Sequence, residues 1–236
     1  MKFTTLYVPL LRTVSTKARL AGFVGVAAFQ LVAASLLSSR GLRSPEWAAA
    51  GFVDVFGLSL VVPLAALVFG TASLGDPIED GTYVYLWLRP IRRWMLTVTA
   101  FAVTLTLVVP LAVVPTVAAG LVVSPTGDLF TGAALATVVA ALGYSAFFVL
   151  LGQVTQRSLI WGIAYLLILE QFVARGGSGL GALAVHSHAV SILAWSVDRE
   201  MTTAYYGPRS AMAGAAVLTA LFLAVSARRQ SRMNVN

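Results

Sequence analysis

Long apolar segments with almost no charged residues constrain this chain more than any other feature. Residues 20–39 carry no charge, and as a helix this segment would extend about 30 Å, the hydrocarbon thickness of a bilayer. Charged residues make up 11% of the chain, against about 25% in soluble domains. The sequence therefore predicts an all-α integral membrane protein forming a single domain over residues 1–236. Six transmembrane helices are predicted, at about 20–39, 48–72, 95–122, 129–153, 157–174 and 209–227.

The connection between the second and third predicted spans is unusually rich in charge. Asp76 precedes Pro77, and Glu79 follows three positions after the aspartate, which is the pattern of a capped helix start. Arg89 precedes Pro90, and a residue before proline is pushed out of helical conformation. The sequence predicts a short polar helix held at the membrane surface, where a partner would contact it.

The pattern E-D-G-T-x-x-Y-L-x-x-R-P-I-x-R in this connection resembles the cytoplasmic loop of ABC-2 type (type V fold) permeases, the membrane subunits of ABC exporters. The resemblance implies a coupling helix that docks on an ATPase subunit. The alternative is a loop that simply caps two helices and follows the charge rules of membrane proteins. The residues implied in coupling are Asp76, Glu79, Asp80, Gly81, Thr82, Tyr85, Leu86, Arg89, Pro90 and Arg93.

The same resemblance also implies partner proteins. The chain has no G-x-x-x-x-G-K-[ST] motif, so the ATPase would be a separate chain that binds ATP and magnesium. A second permease subunit, identical or homologous, would complete the pathway. The chain itself is expected to bind no cofactor and to perform no covalent chemistry. The short loops favour amphipathic or hydrophobic cargo, such as a drug, lipid or peptide, exported from the cytoplasm or inner leaflet.

The distribution of lysine and arginine predicts the orientation. With a cytoplasmic N-terminus, the inner segments hold eleven of the sixteen basic residues and the outer loops hold five, as the positive-inside rule requires. Both termini are then cytoplasmic in a cell membrane. The net charge of +7 is gathered at span ends and forms no single face, so a nucleic-acid partner is not expected.

The first residues predict an amphipathic helix lying in the cytoplasmic interface ahead of the first span. Pro9 would kink such a helix, and a frayed polar tail is the alternative. Its polar side would carry Thr5, Arg12, Thr16 and Lys17. Its apolar side would carry Phe3, Leu6, Tyr7, Leu10, Leu11 and Val14.

Two acids fall within predicted spans, Asp54 in the second and Glu170 in the fifth. Charges inside a membrane are costly and often functional. The arrangement of Tyr165, Leu167 and Glu170 also resembles the fifth span of ABC-2 permeases. Glu170 would then be a polar gate or a packing hydrogen bond, or else an interface carboxylate that extends into water. A proton- or ion-coupled secondary transporter that uses Asp54 and Glu170 is the alternative function.

The connection over residues 174–208 is too apolar for a free loop and too broken to span a membrane, which predicts short extracellular helices. His186 and His188 form an H-x-H pair without a cysteine or carboxylate beside it, so no metal site is predicted. An intramembrane hydrolase using Glu79 and Asp80 would need a histidine or metal at their depth, whereas both histidines are predicted on the opposite side of the membrane.

Overall fold

The computed structural model describes residues 4–81, 92–155, 157–170, 177–198 and 200–232. All of the regular secondary structure in these ranges is helical. The helices are α1 Thr4–Val14, α2 Lys17–Ser38, α3 Pro45–Glu79, α4 Trp94–Val123, α5 Gly127–Val154, α6 Ser158–Glu170, α7 Ser178–Gly181, α8 Val185–Ser196 and α9 Pro208–Arg232.

Within the described ranges, five helices are long and apolar enough to cross a membrane: α2, α3, α4, α5 and α9. They coincide with five of the six predicted spans. Helix α6 is also apolar but shorter, and the predicted fifth span continues to 174, beyond the last described residue of this helix. Large apolar side chains such as Phe29, Leu36 and Val217 face outward and are more than 60% exposed. An apolar outer surface of this kind is typical of a multi-pass membrane protein.

Helix α5 lies at the centre of the bundle and packs against α3, α4, α6, α8 and α9. Glycine permits its closest approach to α3. A Cβ atom built on Gly152 would lie 2.6 Å from the carbonyl oxygen of Thr71, and one on Gly70 would lie 3.0 Å from the Cβ of Phe148. Small residues at helix crossings increase the packing contacts that hold membrane helices together.

Three stretches of the long helices have π-helical hydrogen bonding: Val53–Val61 in α3, Val109–Val113 in α4 and Tyr165–Glu170 in α6. Such wide turns are rare and occur often at functional sites. Two of them carry acids that the sequence places in predicted spans, since Asp54 is in the first and Glu170 ends the third.

Many polar side chains inside the bundle form hydrogen bonds with backbone carbonyl oxygens of their own helices. The hydroxyls of Thr71, Thr104 and Thr137 donate to carbonyl oxygens four residues earlier, which meets the need for internal partners in an apolar surrounding. Between helices, the Gln153 amide donates to Ser226 Oγ at 2.5 Å and thereby joins α5 to α9.

Helix α1 is present where the sequence predicts an N-terminal amphipathic helix, with Pro9 inside it. Leu6, Leu10 and Val14 are buried, and the helix packs against α3 and α4. The Tyr7 hydroxyl lies 2.6 Å from Thr106 Oγ1 of α4. Protein therefore covers much of the apolar face of α1. Phe3 and the side chain of Thr5 lie outside the described residues.

The predicted helix start at Asp76 is wrong. Asp76 and Pro77 belong to the last turns of α3, which ends at Glu79. Leu74 and Pro77 are both buried, and this packing carries the helix through the proline. A glycine follows the C-terminus of α3: Gly81 has a φ angle of +68°, a left-handed conformation that glycine adopts without strain and that commonly ends helices. The amide of Gly81 donates to the carbonyl oxygen of Ile78.

Candidate functional site

A buried polar cluster joins α3, α6 and α8 at the end of the bundle away from both described chain ends. Its centre is His186 of α8. The Nε2 atom of His186 lies 2.8 Å from Asp54 Oδ1 and 3.1 Å from Ser59 Oγ, both on the π-helical stretch of α3. The contact between the His186 ring and the Asp54 carboxylate is a hydrogen bond, and which of the two groups donates depends on the tautomer of the imidazole. The pair connects α3 to α8.

Glu170 caps the start of α8. Its Oε1 accepts a hydrogen bond from the backbone N–H of Val185 at 3.1 Å, and its Oε2 accepts one from that of His186 at 3.2 Å. The residue at the cap position, Ala184, has no side chain that could do this. A carboxylate at a helix N-terminus satisfies unpaired N–H groups and interacts favourably with the helix dipole. Glu170 thus fixes the backbone at the start of α8.

Tyr165 completes the hydrogen bonding of Glu170. The Tyr165 hydroxyl donates to Oε1 at 2.7 Å. The Tyr165 ring packs on Phe147, with ring centres 4.1 Å apart. Glu170 is 4% exposed, so its carboxylate does not extend into solvent from the described part of the protein. The packing hydrogen bond is the interpretation that this geometry supports, and gating stays a prediction.

His186 therefore contacts both of these acids, Asp54 through its ring and Glu170 through its backbone N–H. The residues on α8 from Val185 to Ala194 are all buried, so α8 is an internal plug between α3, α5 and α9. The arrangement can hold α8 in place and can pass a proton between the Asp54 carboxylate and the His186 ring. Sequence reasoning missed His186, although two lone carboxylates in apolar helices indicate a need for nearby donors.

His188 has a separate environment from His186. Its Nε2 donates to the carbonyl oxygen of Ala182 at 3.1 Å, and its ring stacks on Tyr206 with centres 4.9 Å apart. A Cβ atom on Gly214 would lie 2.4 Å from this ring, so α9 packs directly on it. Among the described residues, no group of three His, Cys, Asp or Glu side chains could hold a metal ion.

The opposite end of the bundle holds the described residues of the predicted coupling loop. Asp76 forms an ion pair with Arg19 of α2, with Oδ2 and Nη2 2.9 Å apart. Asp76, Glu79, Arg19 and Arg157 line one cavity of about 260 Å³. This cavity brings α2, α3 and the start of α6 together around two acidic and two basic side chains.

Other predicted coupling residues have distinct positions at this end. Glu79 and Asp80 are exposed, and Gly81 follows them in the helix stop. Arg93 donates from Nη1 to the carbonyl oxygen of Ser231 at 3.2 Å, which ties the start of α4 to the end of α9. The predicted coupling residues that lie outside the described ranges are Thr82, Tyr85, Leu86, Arg89 and Pro90.

The sequence was compared with known proteins at two levels. No model of a protein family matches the chain, and no curated protein matches it. The class of protein therefore follows from the helices themselves: the regular secondary structure of the described ranges is all helical, and five of these helices are long and apolar enough to span a membrane, which fits a multi-pass membrane protein. Its distinctive features are a buried acid–histidine cluster at one end and exposed acids among basic residues at the other.

Proposed function

We propose that this chain is the membrane-spanning permease subunit of an ATP-driven exporter of the ABC-2 type. The proposal takes α6 as the fifth of six spans and the connection from Glu79 to Arg93 as the ATPase-docking loop. Its support is the resemblance of that connection together with the exposure of Glu79 and Asp80 at the end of α3. Arg19, Arg93 and Arg157 lie at the same end of the bundle, where the positive-inside rule would place the cytoplasm.

One observation carries the proposal furthest: a single helix connects the two ends. Helix α3 is continuous over Pro45–Glu79 and holds Asp54 near one end and Glu79 at the other. At 1.5 Å per residue these two residues are about 38 Å apart. A force applied at the acidic end of α3 would therefore reach the Asp54–His186 pair, and through it α8, without crossing a flexible segment.

Coupling would begin at the ATPases. Two separate ATPase chains bind ATP and magnesium and close on each other, and the docking loop follows their movement. Because α3 leads directly out of this loop, its displacement would change the contact between Asp54 and His186. Helix α8 then has two positions, one for each state of the ATPases. This arrangement meets the requirement for allostery, since two distant sites bias one common element.

The cargo pathway would lie between two permease subunits, identical or homologous. Apolar side chains on the outer faces of α2 and α6, including Phe29 and Ile168, are about 60% exposed and suit contact with lipid or with a second subunit. Lateral entry from the membrane favours amphipathic or hydrophobic cargo. The chain itself performs no chemical step in this scheme.

A reconstitution experiment tests the proposal. The chain is purified from its native membrane under mild conditions, and the proteins that accompany it are assayed for ATP hydrolysis before and after incorporation into lipid vesicles. A stoichiometric P-loop ATPase, with hydrolysis stimulated by the permease and ATP-dependent efflux of an amphipathic dye, is expected. Efflux without any ATPase chain would overturn the assignment.

A second function has one observation in its favour. Asp54 and Glu170, which an ion-coupled transporter would use as relays, are both in contact with His186. Buried carboxylates beside a histidine are typical of proton relays in membrane proteins. In vesicles that contain the permease alone, this alternative predicts cargo movement driven by a pH gradient and abolished by an ionophore. The exporter proposal predicts no movement under the same conditions.

A further inference from the structure

The basic end of the bundle carries a cavity that the proposed function does not use. It lies between α5 and α9 and has a volume of about 430 Å³. Leu150, Val154 and Val225 form its apolar wall, and its polar wall consists of three arginines from the end of α9: Arg228, Arg229 and Arg232.

All of the charge on the described walls of this cavity has one sign. No aspartate or glutamate is among the described residues that line it. Arg229 is held in position because its Nε donates to the carbonyl oxygen of Gln153 at 3.1 Å, at the end of α5. Arg228 and Arg232 are four residues apart and lie on the same face of α9. The dipole of a helix C-terminus offsets part of one positive charge. Three neighbouring guanidinium groups exceed that compensation, and a bound anion would stabilise them.

A second cavity adjoins the first and is almost entirely apolar. It has a volume of about 450 Å³ and lies between α5 and α6, with Phe147, Leu151, Trp161 and Ile168 among its lining residues. Val154 lines both cavities. Val154, Trp161 and Ile168 are at least half exposed, so the groove opens to the outside of the bundle along the flank of two apolar helices.

We propose that the two cavities together bind one anionic phospholipid. The phosphodiester would contact the guanidinium groups of Arg228 and Arg232, which match phosphate oxygens in charge and geometry. One acyl chain would pass Val154 and lie in the groove between α5 and α6. A charged site at the end of a span that continues into an apolar groove along the span matches the layout of a lipid, and basic sites between membrane helices are known to select anionic headgroups.

This ligand fits better than a soluble anion or a protein. A free phosphate would use the arginines but would leave the apolar groove without an occupant. A second copy of the chain would have to bring acidic residues to Arg228 and Arg232 while filling a groove that opens to lipid. The proposal concerns a bound lipid and not the transported cargo, so it does not depend on the exporter assignment.

The test compares headgroups at constant acyl chains. The full-length chain is purified in detergent, stripped of lipid, and titrated with phosphatidylglycerol or phosphatidylcholine while bound lipid is counted by native mass spectrometry. We expect at least a tenfold preference of the wild type for phosphatidylglycerol. The variant Arg228→Ala with Arg232→Ala should lose this preference, because it removes the phosphate contacts and leaves Arg229 in place.

Two controls separate a site from general charge attraction. Arg40→Ala with Arg43→Ala removes the same net charge from exposed positions between α2 and α3 and should keep the preference. Val154→Phe narrows the junction of the two cavities without changing charge and should weaken phosphatidylglycerol binding several-fold, whereas Leu221→Phe on an exposed part of α9 should not. Glycerol phosphate, a headgroup without acyl chains, should not displace the lipid at equal concentration.

Several results would overturn the proposal. Equal binding of the two lipids by the wild type would show that no headgroup-selective site exists. An equal loss of the phosphatidylglycerol preference in both arginine double variants would show that the preference comes from overall charge. Displacement by glycerol phosphate would show that the groove contributes nothing. A dimer that forms only as lipid is removed, with the arginines protected in it, would assign this flank to a second copy of the chain.

Discussion

Asp54 and His186 are 132 positions apart in the sequence, yet Oδ1 of the aspartate lies 2.8 Å from Nε2 of the histidine. The contact joins a π-helical turn of α3 to the first turn of α8. Glu170 binds the backbone of the same turn from α6. One short helix is thereby held by two acidic side chains that come from two different helices.

The Asp54–His186 pair is expected to be energetically coupled. In a double-mutant cycle with Asp54→Ala and His186→Ala, each single variant leaves the other side chain without this hydrogen bond, so the double variant should be less damaged than the sum predicts. We expect a coupling free energy of about 0.5–3 kcal/mol, measured from unfolding in mixed detergent micelles. A cycle on Arg19 and Asp76, a more exposed pair, should give less than about 1 kcal/mol. Additive effects at Asp54 and His186 would contradict the assigned contact.

Glu170→Gln and Glu170→Ala should differ in both stability and transport. Glutamine keeps the shape and one accepting oxygen, whereas alanine leaves the N–H groups of Val185 and His186 and the Tyr165 hydroxyl without an acceptor. Each unsatisfied buried group costs roughly 1–3 kcal/mol, so alanine should destabilise more. Cargo efflux per assembled complex should fall in both variants while ATP binding persists. Wild-type efflux and stability in both would remove any role for this carboxylate.

Gly152 is expected to control the packing of α3 on α5. In Gly152→Ala the new methyl group would lie 2.6 Å from the carbonyl oxygen of Thr71, so the two helices must move apart, at a cost of about 1–3 kcal/mol. Gly25→Ala of α2 is the matched control, since a methyl group added there would meet no atom within 4 Å. The control should change the free energy of unfolding by less than about 1 kcal/mol. Equal melting temperatures would refute the close crossing.

The orientation of the bundle can be tested on a chain that has no native cysteine. Asp128→Cys at the start of α5 and Asp80→Cys after α3 are both at exposed positions. In intact cells an impermeant thiol reagent should label the first variant and not the second, while both should react after the membrane is opened. The reverse pattern would place the predicted docking loop outside the cell and exclude a cytoplasmic ATPase.

The helical fold was largely predictable because the membrane leaves few options. An uncharged apolar segment of sufficient length must satisfy its backbone within a helix, and five predicted spans coincide with helices that meet the criteria for spanning. The end of α3 was not predictable in the same way. Asp76 and Pro77 form a local helix-start pattern, but burial of Leu74 and Pro77 extends the preceding helix past them.

Of the residues in the candidate site, only the two acids were predictable from the sequence. Asp54 and Glu170 are conspicuous because charges are rare in apolar helices. Their partner His186 was considered only as a metal ligand, since a local sequence pattern contains no information about a contact over 132 positions. The complete burial of α8 from Val185 to Ala194 was missed for the same reason: its Ser and His residues appear polar in sequence, although His186 and Ser191 have hydrogen-bond partners from distant parts of the chain.

Charge reversal at the end of α3 tests the central claim most directly. The variant Glu79→Lys with Asp80→Lys replaces with bases the exposed acids that would set the register of ATPase docking. The control, Glu46→Lys with Asp128→Lys, makes the same change in net charge at exposed positions on the other end of the bundle. The measurement is ATP-dependent efflux per assembled complex in vesicles that contain the permease and its ATPase. If the chain is an exporter subunit, the first variant should insert normally, but its efflux should be at least tenfold lower than that of the wild type. The control variant should keep wild-type efflux. Wild-type efflux with an intact complex in the Glu79, Asp80 variant would contradict the account.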